Sequence, residues 1–292
     1  MKIPRRSLLK QGALLAAATM LPQAAPNRAV AQTAPLAPNV ERVRASIVSY
    51  LSKKGIRQAK AAPLVTDDAG FNGGLCYDDT GVLEASNSFV VQPCARTADI
   101  AEKDRRDVLP LFHIVRLDGK PGEDRSDAFA HVFGYLLGPL SLDPARIAFV
   151  SIPSFEGLRP HATRAGVDWE RHVVLRDPDA ALKAGDGSGI FRHPGKPALP
   201  AIPTAGIYYW IGEGAAGPAE THPLPGTWTE IGELFIAENG GADFGLGLER
   251  LAFAATGKMA TWDEQLPRLM AQIERDSARG ATPPGKTIFA KS

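Results

Sequence analysis

Two side chains seven positions apart frame the most reactive-looking stretch of the chain, Asp243-Phe-Gly-Leu-Gly-Leu-Glu-Arg250. A carboxylate such as Asp243 suits an ammonium group. A guanidinium such as Arg250 suits a phosphate, which it can hold through two parallel hydrogen bonds. Between them Gly245 and Gly247 carry no Cβ, so a ligand or another segment of backbone can come close. Recognition of an amine and of a phosphate within a few residues is what joining an amino acid to a nucleotide would need.

Other stretches offer matching chemistry. Ser88-Phe-Val-Val-Gln-Pro-Cys-Ala-Arg96 is an apolar, β-branched run that ends in a cation. The next apolar run, Asp107 to Leu117, carries Phe112, His113 and Arg116, and Phe112 or His113 could stack on a base. Trp210 is followed by Ile-Gly-Glu-Gly-Ala-Ala-Gly-Pro218. Trp228-Thr-Glu-Ile-Gly-Glu233 reads as a strand with acids three apart; strand alternation sends Glu230 and Glu233 to opposite faces unless a bulge intervenes. His161, His172 and His193 lack metal-ligand spacing, so no metal site is expected.

The elements that would position these groups follow from periodicity. After Gly247, the residues Leu248, Leu251, Ala252 and Ala255 recur at helical spacing, which makes the glycine stretch a strand-to-helix corner. Asn39 is placed to cap a helix with Val40, Val43, Ile47, Val48 and Leu51 on one face, ended by Gly55. Leu64 to Asp68 reads as a short strand, and Ala145 to Ile152 as a buried one. Ala128, Phe129, Val132, Phe133, Leu136 and Leu137 form the stripe of a core helix that Gly138-Pro139 stops. Val173 to Leu175 suits a strand, Asp179 to Lys183 a helical turn, and Gly185 to Pro203 is dense enough in Gly and Pro to be loop. A last helix starts near Asp263, with Leu266, Leu269, Met270 and Ile273 on one face. Strands and helices do not alternate as βαβ, so the expected class is α+β with an antiparallel sheet.

The amino-terminus is read as an export signal. Arg5-Arg6-Ser-Leu-Leu-Lys10 has the twin-arginine pattern, Gly12 to Leu21 is apolar but too short to span a bilayer, and Ala29-Val-Ala31 fits a cleavage site. Residues 1–31 are then the signal, 32–38 a linker and 39–292 one domain. The expected location is the periplasm, with no stable membrane association after cleavage. The chain carries a net charge of +1, and losing the five basic residues of the signal, which has no acid, leaves −4. A mildly acidic domain without a basic block lacks the footprint of a nucleic-acid binder. Cys76 and Cys94 would pair in an oxidising compartment or stay buried thiols, and the second is slightly favoured.

The Gly-x-Gly-x-Glu-Arg corner resembles the third signature motif of class II aminoacyl-tRNA synthetases, and with Asp243 it is most similar to the alanyl-tRNA synthetase form. The run ending Cys94-Ala-Arg96 resembles that family's Ser-Gln-x-Cys-x-Arg, and Trp210 through Gly217-Pro218 its Trp-x-x-Gly segment. The resemblance spans about Asn39 to Gly257 and implies the class II catalytic fold, an antiparallel sheet flanked by helices. It implies Arg96 and Arg250 as catalytic phosphate ligands, with Phe112 on the nucleotide side. Asp243 would take the substrate ammonium, Trp210 and Glu233 would shape the pocket, and Gly245 and Gly247 would allow close approach. ATP and Mg²⁺ are the cofactors if the protein is catalytic. The chain departs from the family after Arg96, where Gly-Gly-Lys is missing. It departs again in β-strand sequence, where Gly232 and Glu233 stand in place of Trp and Asn. A glutamate there adds negative charge beside Asp243 and welcomes a cation or second amine. The family's tRNA-binding, editing and oligomerisation regions have no counterpart, so tRNA is not an expected partner. Two functions follow: ATP-dependent activation of an amino acid or related carboxylate, or non-catalytic binding of an amino acid or amine.

Overall fold

The computed structural model describes residues 38–65, 71–72, 88–102, 108–118, 125–192, 200–219, 224, 226–236, 242–258, 267–268, 270–271 and 275. By contacts the chain divides into Met1–Thr33 and Ala34–Ser292, and all the described residues lie in the second unit. The export signal, Cys76 and most of the last expected helix lie outside them.

In chain order the elements are α1 (Pro38–Lys53), β1 (Arg57–Gln58), β2 (Ser88–Ala95), β3 (Leu111–Asp118), α2 (Arg125–Leu137), β4 (Ile147–Ser151), α3 (Arg159–Arg164), α4 (Trp169–His172), β5 (Val173–Leu175), α5 (Pro178–Ala184), β6 (Ile190–Phe191), β7 (Ile202–Trp210), β8 (Trp228–Ile236), β9 (Ala242–Gly247) and α6 (Leu248–Thr256). The nine strands form one mixed sheet in the order β1-β2-β3-β9-β8-β7-β4-β5, with β6 added to β7. The inner neighbours from β2 to β4 are all antiparallel. Only the edge pairs, β1 with β2 and β4 with β5, are parallel. The class is α+β, as expected from the order of elements.

One face of the sheet carries the core. Phe89, Val91, Val115, Leu117, Ile207, Leu234, Phe244 and Leu246 point from successive strands into it. The helices bring Val40, Val43, Ile47 and Leu51 from α1, Phe129, Val132, Phe133 and Leu136 from α2, and Leu248, Leu251 and Ala252 from α6. The 3.6-residue stripes read from sequence are therefore the buried faces. Gly55 and Gly257 end α1 and α6 with φ of +78° and +70°, conformations that cost a residue with a Cβ.

Three expectations change. Asn39 lies inside the first turn of α1, and its Nδ2 donates to Lys258 O at 3.4 Å instead of capping. The stretch from Gly185 is not all loop. Ile190–Phe191 pairs with Pro203 and Ile202, because Gly189 at φ +90° turns the chain back onto β7. Met270, assigned to an apolar helix face, is half exposed. Cys94 is a buried thiol whose Sγ donates to Gln92 O.

Candidate functional site

Residues opposite each other on neighbouring antiparallel strands share a face. On the face away from the helices, one such row runs Gly206, Glu233, Gly245, Arg116 and Val90 across β7, β8, β9, β3 and β2. The next row runs Thr204, Phe235, Asp243, Asp118 and Ser88. Asp243, Gly245 and Glu233 thus occupy adjoining positions of one sheet face, although the Asp243 side chain itself lies outside the described residues. Arg116, which the sequence offers only as part of the apolar run Asp107 to Leu117, enters this row from β3.

Glu230 joins the same face. Tyr208 pairs with Glu230 and Ile207 with Gly232, so Ile231 is the extra residue of a β-bulge. A bulge inverts the alternation, and acids three apart come to the same side. The expectation of opposite faces fails for this reason. The signal was Gly232, an isolated glycine inside a strand pattern. A Cβ on Gly232 would lie 2.3 Å from Leu246 Cδ2 and 2.6 Å from Gly245 O, so no other residue fits where β8 closes on β9.

The electrostatics agree with the shared face. Burial, then the charge of Glu230, pushes the Glu233 carboxyl up to about 8, while a Thr204 hydrogen bond and the Arg96 charge oppose the shift. The folded site therefore favours the protonated form of Glu233. Tyr208, opposite Glu230, is raised above the usual phenol range by burial and by both glutamates, and its hydroxyl meets Ser188 Oγ at 3.3 Å. Arg250 is committed differently. Its Nη1 donates to Glu230 Oε2 at 2.8 Å and to Glu230 O at 3.2 Å. The cation expected for phosphate thus closes an ion pair with the neighbouring strand.

Arg96 follows the end of β2 with an exposed side chain, and its guanidinium lies over the Phe112 ring at 5.0 Å. That arrangement brings together two groups assigned to the nucleotide side. Glu233 feels the Arg96 charge, so Arg96 borders the same cleft. A Cβ on Gly245 would meet only Ile114 at 3.7 Å, and one on Gly247 only Arg250 at 3.7 Å or more. Neither glycine is required by protein packing among the described residues. Trp210 stands at the end of β7, half-buried, and meets Trp228 edge to face at 5.4 Å. A Cβ on Gly212 would press within 2.8 Å of its indole, so the following loop wraps it closely.

Glu249, the acid of the Gly-x-Gly-x-Glu-Arg corner, faces the core side. It accepts from His113 N at 2.8 Å and bonds His113 Nδ1 at 2.9 Å, and both residues are buried. This pair ties α6 to β3 and gives His113 a structural task. Among the described residues no group of three His, Cys, Asp or Glu side chains could hold a metal ion.

No family model matches the chain, and no characterised protein matches it by sequence. Solved structures do. An apo histidyl-tRNA synthetase of S. aureus is similar at a TM-score of 0.40 and 9% identity, over 88% of this chain and 89% of that one. A protein described as a threonyl-tRNA synthetase of Aeropyrum pernix is similar at a TM-score of 0.42 and 10% identity, over 84% of this chain and 61% of that one.

Proposed function

We propose that this protein binds a small amine or amino acid on the acid-lined face of its sheet, as an exported relative of synthetase catalytic domains working in the periplasm. The observation that carries this reading is the bulge at Ile231, which sets Glu230 and Glu233 on the face that also holds the Gly245 floor. An ammonium placed between them offsets the desolvation and the Glu230 charge that drive the Glu233 carboxyl toward its protonated form. The family resemblance read from the sequence supports Asp243 as a further carboxylate for the amine.

The second reading, ATP-dependent activation of an amino acid or related carboxylate, draws on Arg96 and Phe112. Their stacked geometry suits a phosphate beside a base. When bound, Mg·ATP would supply the activated phosphate. The task of this chain would be to position the carboxylate and neutralise charge, with no nucleophilic side chain. Arg250 fits that task poorly while Glu230 holds it.

Thermal shift of the purified protein separates the readings. Mg·ATP, amino acids and diamines are added singly and in pairs. A ligand at a hundred times its Kd raises stability by about 2.7 kcal/mol. Stabilisation by an amine or amino acid without ATP supports binding, ATP stabilisation that grows with an amino acid supports activation, and no response to any amine sinks the first reading.

A further inference from the structure

Beyond the acids lies a cluster of which only Trp210 has a part in either reading. His172, at the end of α4, is 3% exposed, and Trp228 is 5% exposed. Their rings meet edge to face at 5.6 Å, and Trp228 meets Trp210 at 5.4 Å. Around them pack Ala148, Val150 and Ala216. Both ring nitrogens of His172 and the indole nitrogens of Trp210 and Trp228 have no hydrogen-bond partner among the described residues.

Four unpaired polar atoms in one small apolar cluster are a cost. Each buried polar group left without a partner gives up its hydration and gains nothing in return. Such orphans are rare in native proteins and point to something absent from the protein alone. Burial holds His172 below its usual range, with Arg171 adding to the effect, so the ring is neutral and offers one N–H and one lone pair. The cluster then presents three N–H donors: two indoles and an imidazole. Such donors call for an acceptor, and a carboxylate has the most lone pairs to offer.

Its position matters. Trp228 and Glu230 lie two residues apart on the same face of β8, and their partners Trp210 and Tyr208 do the same on β7. Two strand residues span about 6.6 Å. That separation suits a molecule with an acceptor group and an ammonium a few bonds apart.

We propose that Trp210, Trp228 and His172 form a subsite for the carboxylate of a small amino acid whose ammonium lies against Glu230 and Glu233. The proposal rests on the amine-binding reading for its second half, and the loop from Ile211 to Ala219 is the part that must shift to admit the ligand. Arg171 straps that loop through Nη2 to Ala216 O and through its own carbonyl to Ala219 N.

The test is intrinsic tryptophan fluorescence of the full chain titrated with L-lysine, with cadaverine, which is lysine without its carboxylate, and with sodium propionate, against sodium chloride of equal ionic strength. L-lysine should bind at least tenfold tighter than cadaverine. His172→Phe should erase that preference while changing cadaverine affinity less than twofold. Circular dichroism checks folding, and Trp228→Phe replaces His172→Phe if the latter does not fold. A merely structural histidine would move the melting temperature and leave the lysine-to-cadaverine ratio alone, which overturns the subsite and keeps the amine reading. Equal binding of the two probes by the unsubstituted protein does the same. If neither amine binds, the amine reading fails, and propionate decides. A saturable change lost in His172→Phe supports the subsite, and no change, as a bound water only would give, overturns it.

Discussion

Glu233 stands on the same face of β8 as Glu230, three residues away, because Ile231 has no partner on β7. The consequence is a proton. Glu233 is raised from 4.5 to about 8 in the folded protein, first by burial and next by Glu230. A raised carboxyl binds its proton more tightly folded than unfolded. Its contribution is complete below the unfolded value near 4.5 and is lost as pH rises to about 8. At about 1.4 kcal/mol per pKa unit, Glu233→Gln should gain up to a few kcal/mol over the unsubstituted protein as pH climbs through that window. Chemical denaturation at pH 5 and pH 8.5 measures it. A difference that does not grow with pH would show that Glu233 is not desolvated in this way.

Gly232 and Gly245 neighbour each other across β8 and β9 yet predict opposite outcomes. Gly232→Ala puts a methyl 2.6 Å from the backbone oxygen of Gly245, which cannot swing aside. Overpacking of this kind costs about 1–3 kcal/mol. In a domain of this size that is a fall in melting temperature of roughly 2–4 °C per kcal/mol. Gly245→Ala meets only Ile114, at ordinary contact distance, and should leave melting within about 1 °C on the scale of a neutral surface change. If a ligand lies on that floor, Gly245→Ala should weaken it tenfold or more. Melting scans with and without the amine found in the ligand screen give both numbers.

The frame of the protein was legible because it rests on periodicity. Val40, Val43, Ile47 and Leu51 announce α1, and the stripe through Phe129, Val132, Phe133 and Leu136 announces α2. The Gly247-to-Leu248 corner also lies where the spacing placed it. What stayed hidden depends on register and on long-range pairing. No local pattern says that Tyr208 opposes Glu230, or that His172 and Trp228, 56 positions apart, share a cluster. The candidates Asp243 and Gly245 follow from residue chemistry and the pocket roles of Glu233 and Trp210 from a resemblance, whereas Tyr208, Thr204 and the Glu230–Arg250 pair needed the sheet. Gly232 is the one local mark of the bulge, and the family resemblance marks it only as a substituted position.

Glu249 belongs to the most distinctive motif in the chain but faces His113. Glu249→Ala leaves the His113 N–H and ring nitrogen without their partner in a buried setting. The expected loss is about 1–3 kcal/mol for the orphaned group. Glu249→Gln keeps an acceptor for the backbone N–H and should cost less. Ligand affinity of the folded fraction should be unchanged in both, because the pair lies on the core side of the sheet. Denaturant melts together with one ligand titration check this, and lost binding at intact stability would move Glu249 into the site.

Arg250 offers the sharpest choice between binding and activation. Its Nη1 is shared between the carboxylate and the carbonyl of Glu230, and the carboxylate is the stronger partner. Nucleotide would have to draw the guanidinium away from that carboxylate. Glu230→Gln weakens the hold without removing the side chain, and it also removes a negative charge from the cleft. If the site activates carboxylates, Glu230→Gln should bind ATP several-fold tighter, and Arg250→Met should abolish the gain. If the site binds amines alone, Glu230→Gln should lower amine affinity about tenfold, as loss of one close charge partner does, with ATP indifferent to both substitutions. Calorimetric titration of the two variants with ATP and with the amine found in the screen reads the two signs directly. A rise in amine affinity on Glu230→Gln would contradict both readings, since a carboxylate beside an ammonium attracts it.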